Sequence, residues 1–343
     1  MRARTVVLAV ACLLMGAVQA IAQDKVYTKG TAPMPGGMGK FGQTYTVLQG
    51  DTPVNITITG AEYTVGQFNI KNDQEVEPDA DHKMLLIHFK LKNPNPNDLY
   101  ISSQNFFQVV DSQNNTIDDG GDCRQETDKG TLDVTLKPGQ GTAVVTSFII
   151  VPASGIIPKL ILKRKVSGTS YEVIRFDLQN PANAVKPLAA PYADPSDKTG
   201  GTALTSIPAT VGTTYAYGWL NMSVDSIALA AGPFGSLTAD DGKQFLVATV
   251  TITNPTWVHR YYTADSIKTT VKTDDDKVTD ADYLKAKHDD PFSDDTLDPN
   301  DTESHRIMIK VPKDAKLKTL TIYIDMGNDG KGRAFVYDLS EVK

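Results

Sequence analysis

The stretch Leu86–Ser102 reads LIHFKLKNPNPNDLYIS, and Leu246–Thr263 reads LVATVTITNPTWVHRYYT. Each is an apolar-alternating run that stops at Asn-Pro, and Asn93-Pro94 and Asn254-Pro255 lie 161 residues apart. Three further marks recur in the same order. Leu136-Lys137-Pro138-Gly139 falls on Leu297-Asp298-Pro299-Asn300, and Phe176-Asp177-Leu178 on Tyr337-Asp338-Leu339. Val151-Pro152 matches Val311-Pro312 with a slip of one. The chain therefore contains two copies of one unit of ordinary domain size.

Each copy reads as strands. Leu85, Ile87, Phe89 and Leu91 alternate with polar or opposite-face residues, and Leu246, Ala248, Val250 and Ile252 occupy the same offsets in the second copy. Period two means one buried face, and a shared parity means a shared register. Proline cannot donate to a ladder, so Asn-Pro ends the strand. Many short strands with turn signals and little helical periodicity predict antiparallel sandwiches, with one short helical turn around Asp282 to Lys287. The expected fold class is all-β.

Arg2 and Arg4, an apolar stretch from Thr5 to Val18 and the small residues Ala20 and Ala22 read as a secretory signal peptide. The expected organisation is a signal peptide at 1–22, a flexible Gly/Pro-rich leader at 23–43, a first sandwich at 44–178, a Pro-rich linker at 179–211 read as an extended tether, and a second sandwich at 212–343. The expected location is extracytoplasmic, secreted or periplasmic, with no membrane insertion after signal cleavage. Removing Arg2 and Arg4 takes the formal charge from −7 to −9, a balance that argues against nucleic acid as partner. Cys123, in the polar run GGDCRQ, is then the lone cysteine and reads as an incidental surface thiol.

A long strand ending in NP, an LxPG turn and an apolar strand closing on VP together resemble the DUF4352 family. The text that carries this is MLLIHFKLKNPNPNDLYISSQNFFQVVDSQNNTI with LKPGQGTAVVTSFIIVP in the first copy, and FLVATVTITNP with LDPNDTESHRIMIKVP in the second. The resemblance implies two tandem immunoglobulin-like antiparallel β-sandwiches of secreted bacterial type, similar in fold to the mycobacterial immunoprotective extracellular protein. Copy two departs from the pattern, with Asn300 at the glycine position and an acidic insertion before the turn. The motifs punctuate a fold and carry no chemistry.

No nucleophile elbow, P-loop or dinucleotide fingerprint occurs, so no catalytic residue and no cofactor is expected. His82, His88, His259, His288 and His305 show no paired ligand spacing and read as solvent-facing or edge residues, not zinc ligands. From Asp274 to Glu303 there are 12 acids against three lysines. This reads as a solvated acidic loop. Calcium held by Asp274, Asp276, Asp280 and Asp282 is the alternative, and no metal is expected. After the second Asn-Pro, TWVHRYY replaces NPNDLYI. Trp257, His259 and Arg260 are the candidate ligand-binding residues, because Trp and Arg are enriched at binding hot spots. The expected function is a non-catalytic exported binding or adhesion module with an unknown protein or glycan partner. A structural or assembly component of the cell envelope is the alternative.

Overall fold

The computed structural model describes residues 38–49, 52–71, 75–103, 106–167, 170–274, 277–278, 281–325 and 331–342. The signal-peptide reading, Asp276 and Asp280 lie outside them. The first half runs β1 (Thr44–Gln49), β2 (Thr52–Thr64), β3 (Phe68–Asn69), β4 (Glu75–Val76), β5 (His82–Lys92), β6 (Leu99–Ser102), β7 (Phe107–Val110), β8 (Thr116–Ile117), β9 (Arg124–Gln125), β10 (Asp133–Leu136), β11 (Val145–Pro152), β12 (Lys159–Ser167) and β13 (Ser170–Asp177). Two short strands follow, β14 (Val185–Lys186) and β15 (Ser206–Ala209). The second half runs β16 (Thr214–Tyr217), β17 (Leu220–Ala230), β18 (Lys243–Thr253), β19 (Arg260–Thr263), β20 (Ile267–Thr273), β21 (Lys277–Val278), β22 (Ala281–Lys285), β23 (Asp294–Leu297), β24 (Thr302–Pro312), β25 (Leu317–Ile324) and β26 (Ala334–Asp338).

One sheet of the first half is ordered β1-β2-β5-β11-β9 and the other β13-β12-β7-β8, with the β6–β10 ribbon beside them. The second half repeats this as β16-β17-β18-β24-β22, β15-β26-β25-β20-β21 and β19–β23. Each half encloses its own hydrophobic core. The four alternating residues of β5 and the four of β18 are all buried, as the parity requires. Near their starts both strands are buried on both faces, because each outer face is covered. The β3–β4 hairpin brings Phe68 and Ile70 over Met84 and Phe148. In the second half Phe234 and Leu237 lie over Phe245, Val247 and Met308. A bulge shifts the register of β2 after Ile58, which pairs with Phe89, and of β17 after Val224, which pairs with Val250. Phe89 and Val250 are equivalent positions, so the kink is part of the duplicated unit.

The recurrent Asn-Pro has a second purpose besides stopping a strand. Asn93 and Asn254 are fully buried. Asn93 Nδ2 donates to the carbonyls of Asn97 (2.8 Å) and Leu136 (2.8 Å), and Oδ1 accepts from Asn95 N–H (2.8 Å). Asn254 Nδ2 donates to Val258 (2.7 Å) and Leu297 (3.0 Å), and Oδ1 accepts from Thr256 N–H (3.0 Å). Each asparagine also takes a backbone N–H from the LxP turn: Gly139 to Asn93 O and Asn300 to Asn254 O, both 2.9 Å. Gly139 has φ 75° and Asn300 φ 67°. That left-handed position admits Gly or Asn, which explains why Asn300 can stand at the glycine position in copy two.

Several expectations are corrected. Residues 179–211 are not an extended tether. β14 pairs with β2 and β15 with β26, both parallel. Leu188 and Ala203 belong to the first core and Ile207 to the second. Prolines are excluded from central ladders but not from such edges, and the apolar residues between them have cores to enter. Lys83 anchors the segment. Its ammonium is fully buried and donates to the carbonyls of Ala153 (2.9 Å), Gly155 (2.5 Å) and Gly201. Burial pushes its pKa down to about 8, opposed by Asp197. The end of the leader is likewise docked: Gly39 N–H donates to Arg175 O (2.6 Å), and Phe41 stacks near Phe176. Cys123 is not a surface thiol but a fully buried member of the first core, since a thiol behaves as a small hydrophobe. Where a short helical turn was expected around Asp282 to Lys287, the strand β22 runs to Lys285 and a turn follows at 286–288, closed by Asp289 N–H on Lys285 O (3.0 Å). His305 is not at an edge. It is buried against Phe292, its Nε2 lies 2.7 Å from Tyr262 Oη, and burial pushes its pKa down to about 4.

Candidate functional site

The two halves meet at the tip of the β16–β17 hairpin. Tyr217 pairs with Leu220, leaving Gly218 and Trp219 as a two-residue turn. Gly218 has φ 63°, the left-handed geometry such turns demand. The first half grips this glycine. Gln67 Nε2 donates to its carbonyl (2.6 Å), and its N–H acts on the Glu77 carboxylate to favour the charged form. Arg333, just before β26, reaches back the other way. It donates through Nε to Leu204 O (3.1 Å), through one terminal nitrogen to Pro78 O (3.3 Å) and through the other to His82 O. Ala80 N–H donates to Lys331 O at 2.8 Å.

Beside this junction is a cavity of about 500 Å³. The β3–β4 hairpin and the chain after it supply Gln67, Asn69, Val76, Glu77, Asp79 and His82. Asp119 and Ile150 come from the same half, and Trp219 and Arg260 from the other. In the β3–β4 ladder Phe68 pairs with Val76 and Asn69 with Glu75. Extending that register by one sets Gln67 opposite Glu77. With a period of two, Gln67, Asn69 and Glu77 share one face of the hairpin. A volume of this size suits a small ligand, and an aromatic ring with a few convergent polar groups is the usual lining of such sites.

The electrostatics are set by burial. Glu77 is pushed up to about 8 by desolvation, against the opposing effect of the Arg333 cation and the Gly218 N–H. Desolvation wins because the nitrogens of Arg333 are turned to backbone carbonyls, so the cation acts on Glu77 at a distance. Arg333 is itself pushed down to about 10 by burial, with Glu77 and Asp79 opposing. Burial also lowers Arg260. His82 Nδ1 lies 2.7 Å from Asp79 Oδ1. Among the described residues, Glu77 Oε2 and Asn69 Oδ1 are buried oxygens with no hydrogen-bond partner.

The three residues singled out from the sequence are not brought to one site. Arg260 lines the cavity. His259 lies apart, its Nδ1 2.6 Å from Asp298 Oδ1 with both side chains largely exposed. Trp257 is half-buried and does not line the cavity. In the acidic stretch, Asp274 pairs with Lys318 (2.8 Å), Asp295 with Lys285 (2.6 Å) and Asp289 with Arg306. Among the described residues no group of three or more His, Cys, Asp or Glu is arranged to hold a metal ion. The cavity residues Gln67, Asn69, Glu77, His82 and Trp219 were missed as a set. Their one signal was a break in the repeat, since β2 and β5 are joined by a longer connection than β17 and β18.

No curated protein matches the chain. Among solved structures it is similar to an uncharacterized β-sandwich protein from Clostridium difficile 630, with 16% identity, 38% of this chain and 91% of that one covered, and a TM-score of 0.31. It is also similar to the yjhA protein from Bacillus subtilis, with 13% identity, 41% and 100% covered, and a TM-score of 0.28. Red sea bream transglutaminase matches at 12% identity over 82% of this chain and 31% of that one, with a TM-score of 0.25. Residues 209–332, which span the second sandwich, match the model of the family described as Domain of unknown function (DUF4352).

Proposed function

We propose that this protein is a non-catalytic, exported binding module that takes a small polar ligand in the cleft between its two sandwiches. The observation that carries the reading is the cleft itself. It is built from both halves, and it presents a tryptophan ring, two amides, carboxylates and a guanidinium to one space of about 500 Å³. Ser, Thr and Cys are missing from its described lining, so the His82–Asp79 pair has no nucleophile to activate there. Export rests on the basic and apolar start of the chain.

A glycan and peptide screen on the full chain, followed by titration of Trp219→Ala, Gln67→Ala and Arg260→Ala, tests the reading. Each substitution is expected to weaken a ligand at least tenfold while leaving the circular dichroism spectrum unchanged. Trp257→Ala and His259→Ala are expected to leave affinity within twofold. A ligand indifferent to Trp219 and Gln67, or one lost with Trp257, would move the site out of the cleft.

A further inference from the structure

We propose that the ligand of this cleft carries a primary ammonium group, received by Glu77 Oε2 and Asn69 Oδ1 while its carbon skeleton packs on Trp219. This rests on the cleft reading above and deepens it. Both oxygens are buried, line the same cavity and have no hydrogen-bond partner among the described residues. A buried acceptor left without a donor is unfavourable, so two on one hairpin face mark a place made to receive donors. Their neighbours do not fill that need. Asn69 Nδ2 turns to Gln67 Oε1 at 3.3 Å, and Gln67 Nε2 is spent on Gly218 O. Three of the five N–H donors of Arg333 go to Leu204, Pro78 and His82, and none reaches either oxygen.

The donor count selects the chemistry. A hydroxyl has one donor and brings lone pairs that need donors of their own. An ammonium has three donors and no acceptor, so it can serve two orphaned oxygens and still face a third acceptor. Asp79 and Asp119 lie in the same lining and add negative charge, and a tryptophan face next to a cation is favourable. The groups facing Glu77 are Arg333 and Arg260 from the second half, Asp79 and His82 from its own segment, Asp119 across the cavity and Tyr192 from the linking segment. Because burial raises Glu77 to about 8, it holds a proton at pH 7 in the empty cleft. An arriving ammonium stabilises the carboxylate and expels that proton, so binding tightens as pH rises from 6 to 8.

The test is calorimetry of the full chain at pH 7 with two matched sets of probes. One is glucosamine, N-acetylglucosamine and glucose, and the other is cyclohexylamine and cyclohexanol. In each set the free amine is expected to bind at least tenfold more tightly than its neutral counterparts. Its apparent heat is expected to vary with the ionisation heat of the buffer, reporting proton release. Glu77→Gln is expected to abolish both the preference and the proton release while preserving the fold. Neutral sugars binding as well as glucosamine, with Trp219→Ala still damaging, would overturn the ammonium and leave the cleft reading intact. Amine preference without proton release, or surviving in Glu77→Gln, would also overturn it. Failure of every probe would overturn the ammonium, and the separate glycan and peptide screen decides whether the cleft reading falls with it.

Discussion

Arg333→Ala is expected to lower stability by about 3–5 kcal/mol and to split one unfolding transition into two. The side chain is only 6% exposed, and its nitrogens tie Leu204 of the linking segment to Pro78 and His82 of the first half. Removing it strands three carbonyls at the junction of the halves, the bond to Pro78 O being fully buried. Arg333→Lys is expected to recover only part, because one ammonium cannot span three directions as a planar fork does. The pH dependence follows with a definite sign. The folded pKa of Glu77, about 8, lies above its unfolded value, so the native state holds a proton that the unfolded chain releases. This contribution is fully present below about pH 4.5 and is lost as pH rises through 8. Glu77→Gln is expected to flatten that part of the stability profile. Calorimetric scans between pH 5 and 8.5 on the parent chain and the three variants read all of this.

The second large effect belongs to the asparagines of the repeated phrase. Asn93→Ala and Asn254→Ala are each expected to cost about 2–4 kcal/mol. Two carbonyls and one N–H lose the fully buried side chain that pairs them. Asn→Asp is expected to be as damaging, since a carboxylate cannot donate to Leu136 O or Leu297 O and is buried without a counter-ion. Urea titration, monitored separately for each half by its own resonances, is expected to show the larger loss in the half that carries the change. Equal losses for Ala substitutions at the exposed Asn97 and at Asn93 would contradict this account.

What the sequence made legible was what repeats. Parity placed Leu85, Ile87, Phe89 and Leu91 inward, and the same parity held at Leu246 to Ile252, because period-two burial needs no knowledge of distant partners. The bulges opposite Phe89 and Val250 left no such mark, since a one-residue register shift removes no apolar position. The 179–211 segment was misread because its prolines dominate a composition argument. The residues that decide its placement, Leu188, Tyr192 and Ile207, are few and find cores supplied from elsewhere. Lys83 shares the inward parity of Leu85, and three backbone carbonyls from two distant loops hold its ammonium there. The cleft was the least legible of all. Gln67 and Gly218 are 151 residues apart, and Pro78 and Arg333 are 255 apart. Only Arg260 was singled out beforehand, for its residue type and not for its neighbours.

The central claim is that the two sandwiches form one body around a cleft both of them build. Residual dipolar couplings of backbone amides in the full chain test it most directly. Couplings from residues 44–178 and from residues 212–342 are expected to fit a single alignment tensor, and Arg333→Ala is expected to separate them into two. Two tensors of different magnitude in the parent chain would mean that the halves reorient freely, and the cleft would then have no fixed shape in which to hold a ligand.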